Sequence, residues 1–250
     1  MEGPLAGKSV IITGGAQGIG RCLAQRIAGL EAKVCIADID AEAARSTANA
    51  LCKAGLGALA VTCDVTSPAD TEKLAGEVIA QFGAIDVLIN NAGLFPIKMF
   101  EQMSAAEWQR VLDINLTGTF LATKAVYNHM ADRGQGKIIN LSSVAGRVGG
   151  FGLVHYSAAK AGVIGFTKAL AREAAQFGIQ VNAVAPGIVE TNTAKSTFPE
   201  FSLKEYVRNV PLGRLGKEED LTGLVAFLCS RESDYITGQV FAVDGGYTMI

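Results

Sequence analysis

The chain has 250 residues, of which 49% are hydrophobic and 18% are charged, and its formal net charge at pH 7 is −2. This balance gives no reason to expect a nucleic acid or an anionic membrane as a partner, and no uncharged run approaches the roughly 20 residues of a membrane helix. With five scattered cysteines, two histidines and no basic, apolar leader, we expect free thiols, a cytoplasmic location and no metal site.

Short apolar runs alternate with helix-length segments along the whole chain. The runs are rich in valine and isoleucine, as expected of strands that are covered on both faces. The predicted strands are Ser9–Thr13, Lys33–Asp38, Ala58–Cys63, Ile85–Asn90, Lys137–Ser142, Ile179–Ala185 and Val240–Val243. The predicted helices are about Ile19–Leu30, Ala41–Ala54, Pro68–Phe82, Ala105–Asp132, Tyr156–Phe177 and Glu218–Ser230.

This alternation predicts a single α/β domain over residues 1–250, with a doubly wound, Rossmann-like parallel sheet and helices on both faces. No linker, repeat or charge block divides the chain. Sheets of this kind bind ligands beyond the carboxyl ends of their strands. The residues at or just after predicted strand ends, which should share that edge, are Gly14, Asp38, Asp64, Asn90, Ser143 and Pro186.

The first strand runs directly into a glycine-rich turn, residues 14–20, and then into a helix. Glycines let the backbone approach a pyrophosphate closely, and the positive end of a helix favours the negative charge. A tight structural turn would also explain the glycines. Their place between the first strand and the first helix favours a dinucleotide site.

Acidic residues end the next two strands. Asp38 stands where the adenosine ribose of a dinucleotide is expected, but it would serve equally as a cap for the following helix. Asp64 either contacts the nucleotide or only forms the turn before Ser67 and Pro68. The sequence leaves both alternatives open.

Tyr156 and Lys160 are four residues apart, so on a helix their side chains share one face. An ammonium group beside a phenol lowers the free energy needed to ionise it. Ser143 follows an apolar run and offers a second hydroxyl to the same volume, unless it only caps the strand. Together with the glycine turn, this set predicts hydride chemistry on an alcohol or a carbonyl. His155 is expected to be a pocket wall or a surface residue.

These motifs make the chain resemble a short-chain dehydrogenase/reductase of the type with about 250 residues and one Rossmann-like domain. The resemblance covers nearly the whole chain. The family's glycine motif matches Thr13, Gly14, Gly18 and Gly20, its N-N-A-G motif matches residues 90–93, and its P-G-x-V-x-T motif matches residues 186–191. Its catalytic set matches Asn115, Ser143, Tyr156 and Lys160.

The resemblance implies a role for each catalytic residue. Tyr156 would exchange a proton with the substrate oxygen, and Ser143 would polarise that oxygen. Lys160 would hold the nicotinamide ribose and, with the positive nicotinamide, lower the tyrosine pKa from its usual value of about 10. Asn115 would order a water that relays protons.

The expected cofactor is NAD, because Asp38 takes the place of the NADP 2′-phosphate and neither Gln17 nor Ile39 offers a cation. The predicted cofactor residues are Gly14, Gln17, Gly18, Ile19, Gly20, Asp38, Ile39, Asp64, Val65, Asn91, Ala92, Gly93, Tyr156, Lys160, Pro186, Gly187, Val189 and Thr191. The predicted substrate pocket consists of Phe95, Ser143, Val144, Phe151, Tyr156, Gly187 and Phe198, covered by a lid at residues 191–208.

These apolar loops favour a moderately hydrophobic secondary alcohol or its ketone as substrate. One alternative is a 3-oxoacyl-carrier-protein reductase, which by resemblance usually prefers NADPH and has basic residues near positions 17 and 39. The other is a catalytically silent protein that binds a nucleotide and acts through interactions. The family likeness, the long 105–132 and 156–177 helices and the apolar C-terminal stretch 241–250 together predict a homotetramer.

Overall fold

The computed structural model describes residues 3–249, so residues 1, 2 and 250 of the predicted domain lie outside the described residues. The predicted parallel sheet is present, with seven strands in the order β3-β2-β1-β4-β5-β6-β7. The strands are β1 (Ser9–Thr13), β2 (Lys33–Asp38), β3 (Ala58–Thr62), β4 (Val87–Asn90), β5 (Gly136–Leu141), β6 (Ile179–Pro186) and β7 (Val240–Val243).

Helices follow most of the strands, as expected for a sheet whose neighbouring strands all run parallel. They are α1 (Gly18–Ala28), α2 (Ala41–Lys53), α3 (Pro68–Phe82), α4 (Ala105–Leu112), α5 (Gly118–Asp132), α6 (Ala145–Val148), α7 (Val154–Ala174), α8 (Asn192–Thr197), α9 (Glu200–Arg208) and α10 (Glu219–Cys229). The predicted cap of α3 is confirmed, because the Ser67 hydroxyl accepts the Asp70 N–H at 3.2 Å.

Apolar side chains fill the space on both faces of the sheet, which is why the strands are nearly continuously apolar. On one face, α1, α2 and α10 pack against alternate residues of the strands, such as Val10 and Ile12 of β1. On the other face, α3, α5 and α7 pack against the residues between them, such as Ile11. The sheet is therefore fixed from both sides, and its carboxyl edge is a rigid base for the loops.

The strand order reverses direction between β1 and β4, and a doubly wound sheet is expected to bind its ligand in a crevice at such a position. Thr13 holds the two loops together: its hydroxyl accepts the N–H groups of Asn91 and Ala92, each at 3.1 Å. The Asn91 amide donates in return to the carbonyls of Thr13 and Gly14, at 3.0 and 2.9 Å. These bonds hold the glycine turn and the 90–93 motif together, so the expected crevice lies beside both segments.

Some boundaries differ from the prediction, and one of the differences has a clear physical cause. The predicted 105–132 helix contains a π-helical turn at Asp113–Thr117, between α4 and α5. The fourth strand begins at Val87 rather than Ile85, because the Ile85 N–H donates to the His129 imidazole at 3.2 Å instead of joining the ladder. Helix α7 begins at Val154, two residues before the predicted start.

The described part of the chain contains no helix with the length and apolar character that a membrane span requires. All five cysteines are free thiols, as the sequence predicted, and Cys35, Cys63 and Cys229 are buried. Burial raises the pKa of the Cys63 and Cys229 thiols to about 12, so both remain protonated and unreactive.

Candidate active site

The glycine turn adopts a conformation that other residues would disrupt. Gly14 and Gly18 have φ values of +62° and +55°, in the left-handed region that favours glycine. A Cβ atom at Gly14 would lie 2.8 Å from the Ala92 Cα, so a side chain there would separate the two loops. The N-cap residue Gln17 makes no side-chain hydrogen bond to the first turn of α1. The N–H groups of that turn therefore suit an anion such as a pyrophosphate.

Thr47 of α2 stabilises the glycine turn, and this contact was not predicted from the sequence. Its hydroxyl donates to the Ala16 carbonyl at 3.0 Å, and the residue is buried. One sequence feature could have indicated this contact: a threonine on the otherwise apolar face of α2, beside Ala44, Ala48 and Leu51. A buried hydroxyl in such a position needs a partner, and the turn supplies it.

Asp38 does not cap α2, so the capping alternative that the sequence left open is wrong. The cap is Asp40, whose carboxylate accepts the N–H groups of Glu42 and Ala43. Asp38 instead accepts the Ala16 N–H at 3.1 Å and the Asp40 N–H at 3.1 Å. Its carboxylate therefore stands beside the glycine turn, with the largely exposed side chain of Ile39 next to it.

Asp64 does form a turn, as the alternative from the sequence proposed. One carboxylate oxygen accepts both the N–H and the hydroxyl of Thr66, at 2.9 and 2.7 Å. Val65 is buried, and a Cβ atom at Gly118 would lie 2.7 Å from its Cγ2, so it packs against the start of α5. The turn sets the position of both residues at the carboxyl edge of the sheet.

The side chains of Tyr156 and Lys160 lie together, as their spacing predicted. The Lys160 Nζ atom is 5.7 Å from the centroid of the Tyr156 ring and donates to the Leu141 carbonyl at 2.7 Å. The Ser142 hydroxyl donates to the Lys160 carbonyl at 2.8 Å, which joins α7 to the end of β5. These bonds fix the ammonium group on one side of the phenol.

Lys160 by itself does not lower the pKa of Tyr156, and the lowering expected from Lys160 and the positive nicotinamide together stays a prediction. Burial raises the pKa of this phenol to about 12, although a hydrogen bond with the Ser143 hydroxyl lowers it. Burial also lowers the pKa of Lys160 to about 8. Loss of hydration therefore outweighs the attraction between the two groups. Any lowering of the phenol pKa must come from a further positive charge, such as that of an oxidised nicotinamide ring.

Asn115 lies in the π-helical turn, where its side chain faces Lys160. Its amide group donates to the carbonyls of Val111 and Leu94, both at 2.9 Å. Its Oδ1 atom is buried and has no hydrogen-bond partner among residues 3–249. A Cβ atom at Gly93 would lie 2.6 Å from this oxygen and 3.5 Å from the Lys160 Nζ. An acceptor without a partner at this place suits the water-ordering role that the resemblance implies.

His155 lies in the protein interior, so the expectation of a pocket wall or surface residue is wrong. It is fully buried, and its Nδ1 atom accepts the Tyr156 N–H at 2.9 Å. Its Nε2 atom has no hydrogen-bond partner in the described chain. Burial lowers the pKa of this imidazole, which keeps it neutral and able to accept. The ring therefore accepts one of the backbone N–H groups in the first turn of α7.

Aromatic rings cover the Tyr156 side chain. The Phe95 ring lies 5.9 Å from the Tyr156 ring, and the Phe198 ring stacks on Phe95 at 6.0 Å. Val144 is buried, and its N–H donates to the Pro186 carbonyl at 3.0 Å. The ring of Phe151 is 86% exposed, so this residue forms no closed wall.

The 186–191 loop and the lid lie next to this aromatic group. The Gly187 N–H donates to the Val243 carbonyl at 3.0 Å, and Val189 is buried. The Thr191 hydroxyl accepts the Ala194 N–H at 3.1 Å and caps α8. The predicted lid is thus two short helices, α8 and α9, which begin where the loop ends.

The polar groups that line the crevice fit a dinucleotide. They are the N–H groups of the first turn of α1, the Asp38 carboxylate and the Asn115 oxygen, which has no partner among residues 3–249. Within residues 3–249, no three histidine, cysteine or carboxylate side chains are grouped so as to hold a metal ion.

Comparison with known proteins gives matches along nearly the whole chain. A family model described as enoyl-(acyl carrier protein) reductase matches residues 14–248. A 3-oxoacyl-[acyl-carrier-protein] reductase, FabG, from Aquifex aeolicus is 42% identical, over 98% of this chain and 99% of that protein. The (2S)-[(R)-hydroxy(phenyl)methyl]succinyl-CoA dehydrogenase subunit BbsD from Thauera aromatica is 39% identical over 96% of each chain. The crystal structure of a short-chain type dehydrogenase/reductase from Mycobacterium marinum superposes with a TM-score of 0.93 at 36% identity, covering 98% of this chain and 97% of that one.

Proposed function

Because the chain belongs to the short-chain dehydrogenase/reductase family, we propose that it transfers a hydride reversibly between NAD and a 3-oxoacyl or 3-hydroxyacyl thioester. Family membership makes the protein an oxidoreductase with a nicotinamide cofactor. The choice of NAD, of the thioester and of the residues that act on it is our proposal.

The names of two relatives support the thioester. One acts on a 3-oxoacyl group carried by acyl carrier protein, and the other on a secondary benzylic alcohol within a coenzyme A thioester. Both have about the same identity to this chain. These two names favour an acyl reductase as the function of this chain. A dehydrogenase for free secondary alcohols is the second candidate function. The stacked rings of Phe95 and Phe198 beside Tyr156 offer an apolar surface to an acyl chain.

The observation that carries the chemistry is the grouping of Ser143, Tyr156 and Lys160 at one end of the crevice. When bound, NAD supplies the hydride acceptor, and NADH the donor, at C4 of its nicotinamide ring. Ser143 donates a hydrogen bond to the substrate oxygen and polarises the carbonyl. Tyr156 gives its proton to that oxygen during reduction and removes it during oxidation.

Lys160 and Asn115 complete the proton path in this proposal. The Lys160 ammonium stabilises the phenolate that forms when Tyr156 gives up its proton, and it holds the nicotinamide ribose. The buried Asn115 oxygen orders a water behind Lys160, through which the proton is replaced from solvent. The glycine turn binds the pyrophosphate, and Asp38 binds the adenosine ribose.

Substrate comparison tests this proposal, with NADH absorbance as the measurement. We expect kcat/KM for acetoacetyl-CoA or an acetoacetyl-carrier protein to exceed that for a cyclic ketone by ~100-fold, because contacts to the thioester and its carrier stabilise the transition state. A faster reaction with the cyclic ketone would favour the free-alcohol candidate. Tight NADH binding without turnover of any carbonyl would favour a silent nucleotide-binding protein.

We also propose that the protein is a cytoplasmic homotetramer. Its free thiols fit a reducing compartment. Phe120 on α5 and Val154 at the start of α7 are exposed apolar side chains on the helices expected to pack across a two-fold axis. We expect light scattering to give the mass of four chains in solution. A mass of one chain at all concentrations would contradict the assembly.

A further inference from the structure

The lid contacts the 186–190 loop through a hydrogen bond that the proposed mechanism does not use. The Ile188 N–H donates to the Tyr206 hydroxyl at 3.2 Å. Tyr206 belongs to α9, a helix without any buried residue, so apolar packing holds this part of the lid only weakly. A directed bond to the loop therefore has a large share in fixing the lid's position.

The glycine at position 187 leaves space for this contact. A Cβ atom at Gly187 would lie 2.7 Å from the Tyr206 hydroxyl oxygen, so a side chain at position 187 would push the phenol away. The Tyr206 ring packs on the Tyr247 ring with centroids 4.5 Å apart, which orients the hydroxyl. Burial raises the pKa of Tyr206 to about 12, so the hydroxyl remains neutral.

The other backbone bonds of the loop explain why the Ile188 N–H matters. The Ile188 carbonyl accepts the Gly216 N–H at 2.9 Å, and the Gly187 N–H donates to the Val243 carbonyl at 3.0 Å. Three neighbouring backbone groups are thus bound to three different segments. Of these three bonds, the one from Ile188 to Tyr206 reaches α9, and it would be lost if α9 moved away.

We propose that Tyr206 is a positioning residue, whose hydroxyl ties α9 of the lid to the 186–190 loop and so sets the position of this loop during turnover. This inference rests on the proposed function and on the prediction that Pro186, Gly187 and Val189 of this loop bind the cofactor. Closing the lid would then fix the loop, and opening it would release the loop. Tyr206 itself touches no reacting atom.

The variant Tyr206→Phe tests this proposal, because it removes the hydroxyl and keeps the ring. Tyr247→Phe is the matched control, since it alters the other ring of the same stacked pair. We expect kcat with an acetoacetyl thioester to fall about tenfold in Tyr206→Phe, the upper range for one neutral hydrogen bond. The KM for the thioester, the Kd for NADH and the Tm should stay close to wild type, and Tyr247→Phe should keep kcat within about twofold.

Amide hydrogen exchange of residues 186–190 in the full-length protein gives a second measurement that does not need activity. We expect the Ile188 amide to exchange about tenfold faster in Tyr206→Phe and at the wild-type rate in Tyr247→Phe. The proposal would be wrong if the Ile188 amide exchanged at the wild-type rate in Tyr206→Phe, or if kcat of this variant stayed within twofold of wild type. It would also be wrong if Tyr247→Phe lost as much activity as Tyr206→Phe. If the wild-type protein reduced no thioester, the proposed function would fail, and the exchange rates alone would decide the role of Tyr206.

Discussion

Replacing Tyr156 with phenylalanine is expected to lower kcat/KM by about a thousandfold while NADH still binds. The phenol lies between the Ser143 hydroxyl and the Lys160 ammonium, where it supplies a proton rather than binding area. The Phe95 ring would still pack on the new side chain, so the pocket should keep its shape. Steady-state kinetics together with NADH fluorescence titration separates the two effects.

The surface tyrosine Tyr235 provides a control, since Tyr235→Phe makes the same chemical change far from any buried contact. It should leave the rate unchanged. Burial raises the pKa of Tyr156, and the positive nicotinamide ring would lower it; in either case the fraction of phenolate rises with pH across the neutral range. Alcohol oxidation should therefore speed up as the pH rises, and this slope should vanish in Tyr156→Phe. Substantial turnover by the purified variant would remove Tyr156 from the reaction.

The wild-type protein is expected to prefer NAD to NADP by about a thousandfold in kcat/KM. The Asp38 carboxylate would meet the 2′-phosphate of NADP, and two like charges about 4 Å apart repel by roughly 4 kcal/mol at an effective dielectric of 20. Gln17 and Ile39 offer no opposing cation. Asp38→Ala should weaken NAD binding and relieve the penalty against NADP. Adding Ile39→Arg should reverse the preference.

Asp40→Ala is the matched control for this series, because it removes a carboxylate two residues away. It should destabilise α2 by about 1 kcal/mol through the lost cap and leave the cofactor preference unchanged. The Asp38 variants also lose the bonds to Ala16 and Asp40, so their Tm should be measured beside kcat/KM. Equal kcat/KM for the two cofactors in the wild-type protein would mean that Asp38 serves only to order the glycine turn.

The fold class and the family were both predictable from the sequence and are confirmed. A short apolar run such as residues 9–13 is typical of a buried strand. Strands that alternate with helices can form only a few chain topologies. The carboxyl edge then brings together residues that are far apart in the chain. The residue identities at this edge predicted the candidate site, whereas the roles of those residues remain to be tested.

Features that depend on tertiary contacts were not predictable in the same way. Nothing in the local sequence distinguishes residues 113–117 from an ordinary helix, so the π-helical turn around Asn115 was missed. The polar imidazole of His155 favoured the surface, but its bond to the Tyr156 N–H permits complete burial. The direction of the Tyr156 pKa shift depends on loss of hydration, which residue spacing does not report.

The π-helical turn at Asp113–Thr117 makes the protein sensitive to the insertion or deletion of residues, which differ from point substitutions because they change the length of the chain. Each residue added to a helix rotates the remainder of that helix by about 100° and advances it by about 1.5 Å. The π-helical turn already holds one residue more than a regular helix of the same path, so deleting one residue from it would restore a regular helix and leave α5 in place relative to α4. The deletion would act on the turn itself, where Asn115 would lose its place beside Lys160. One further inserted residue would instead turn the α5 face that packs on the sheet toward solvent. Between α4 and α5, a deletion of one residue would therefore damage the site and spare the core, whereas an insertion would damage the core as well.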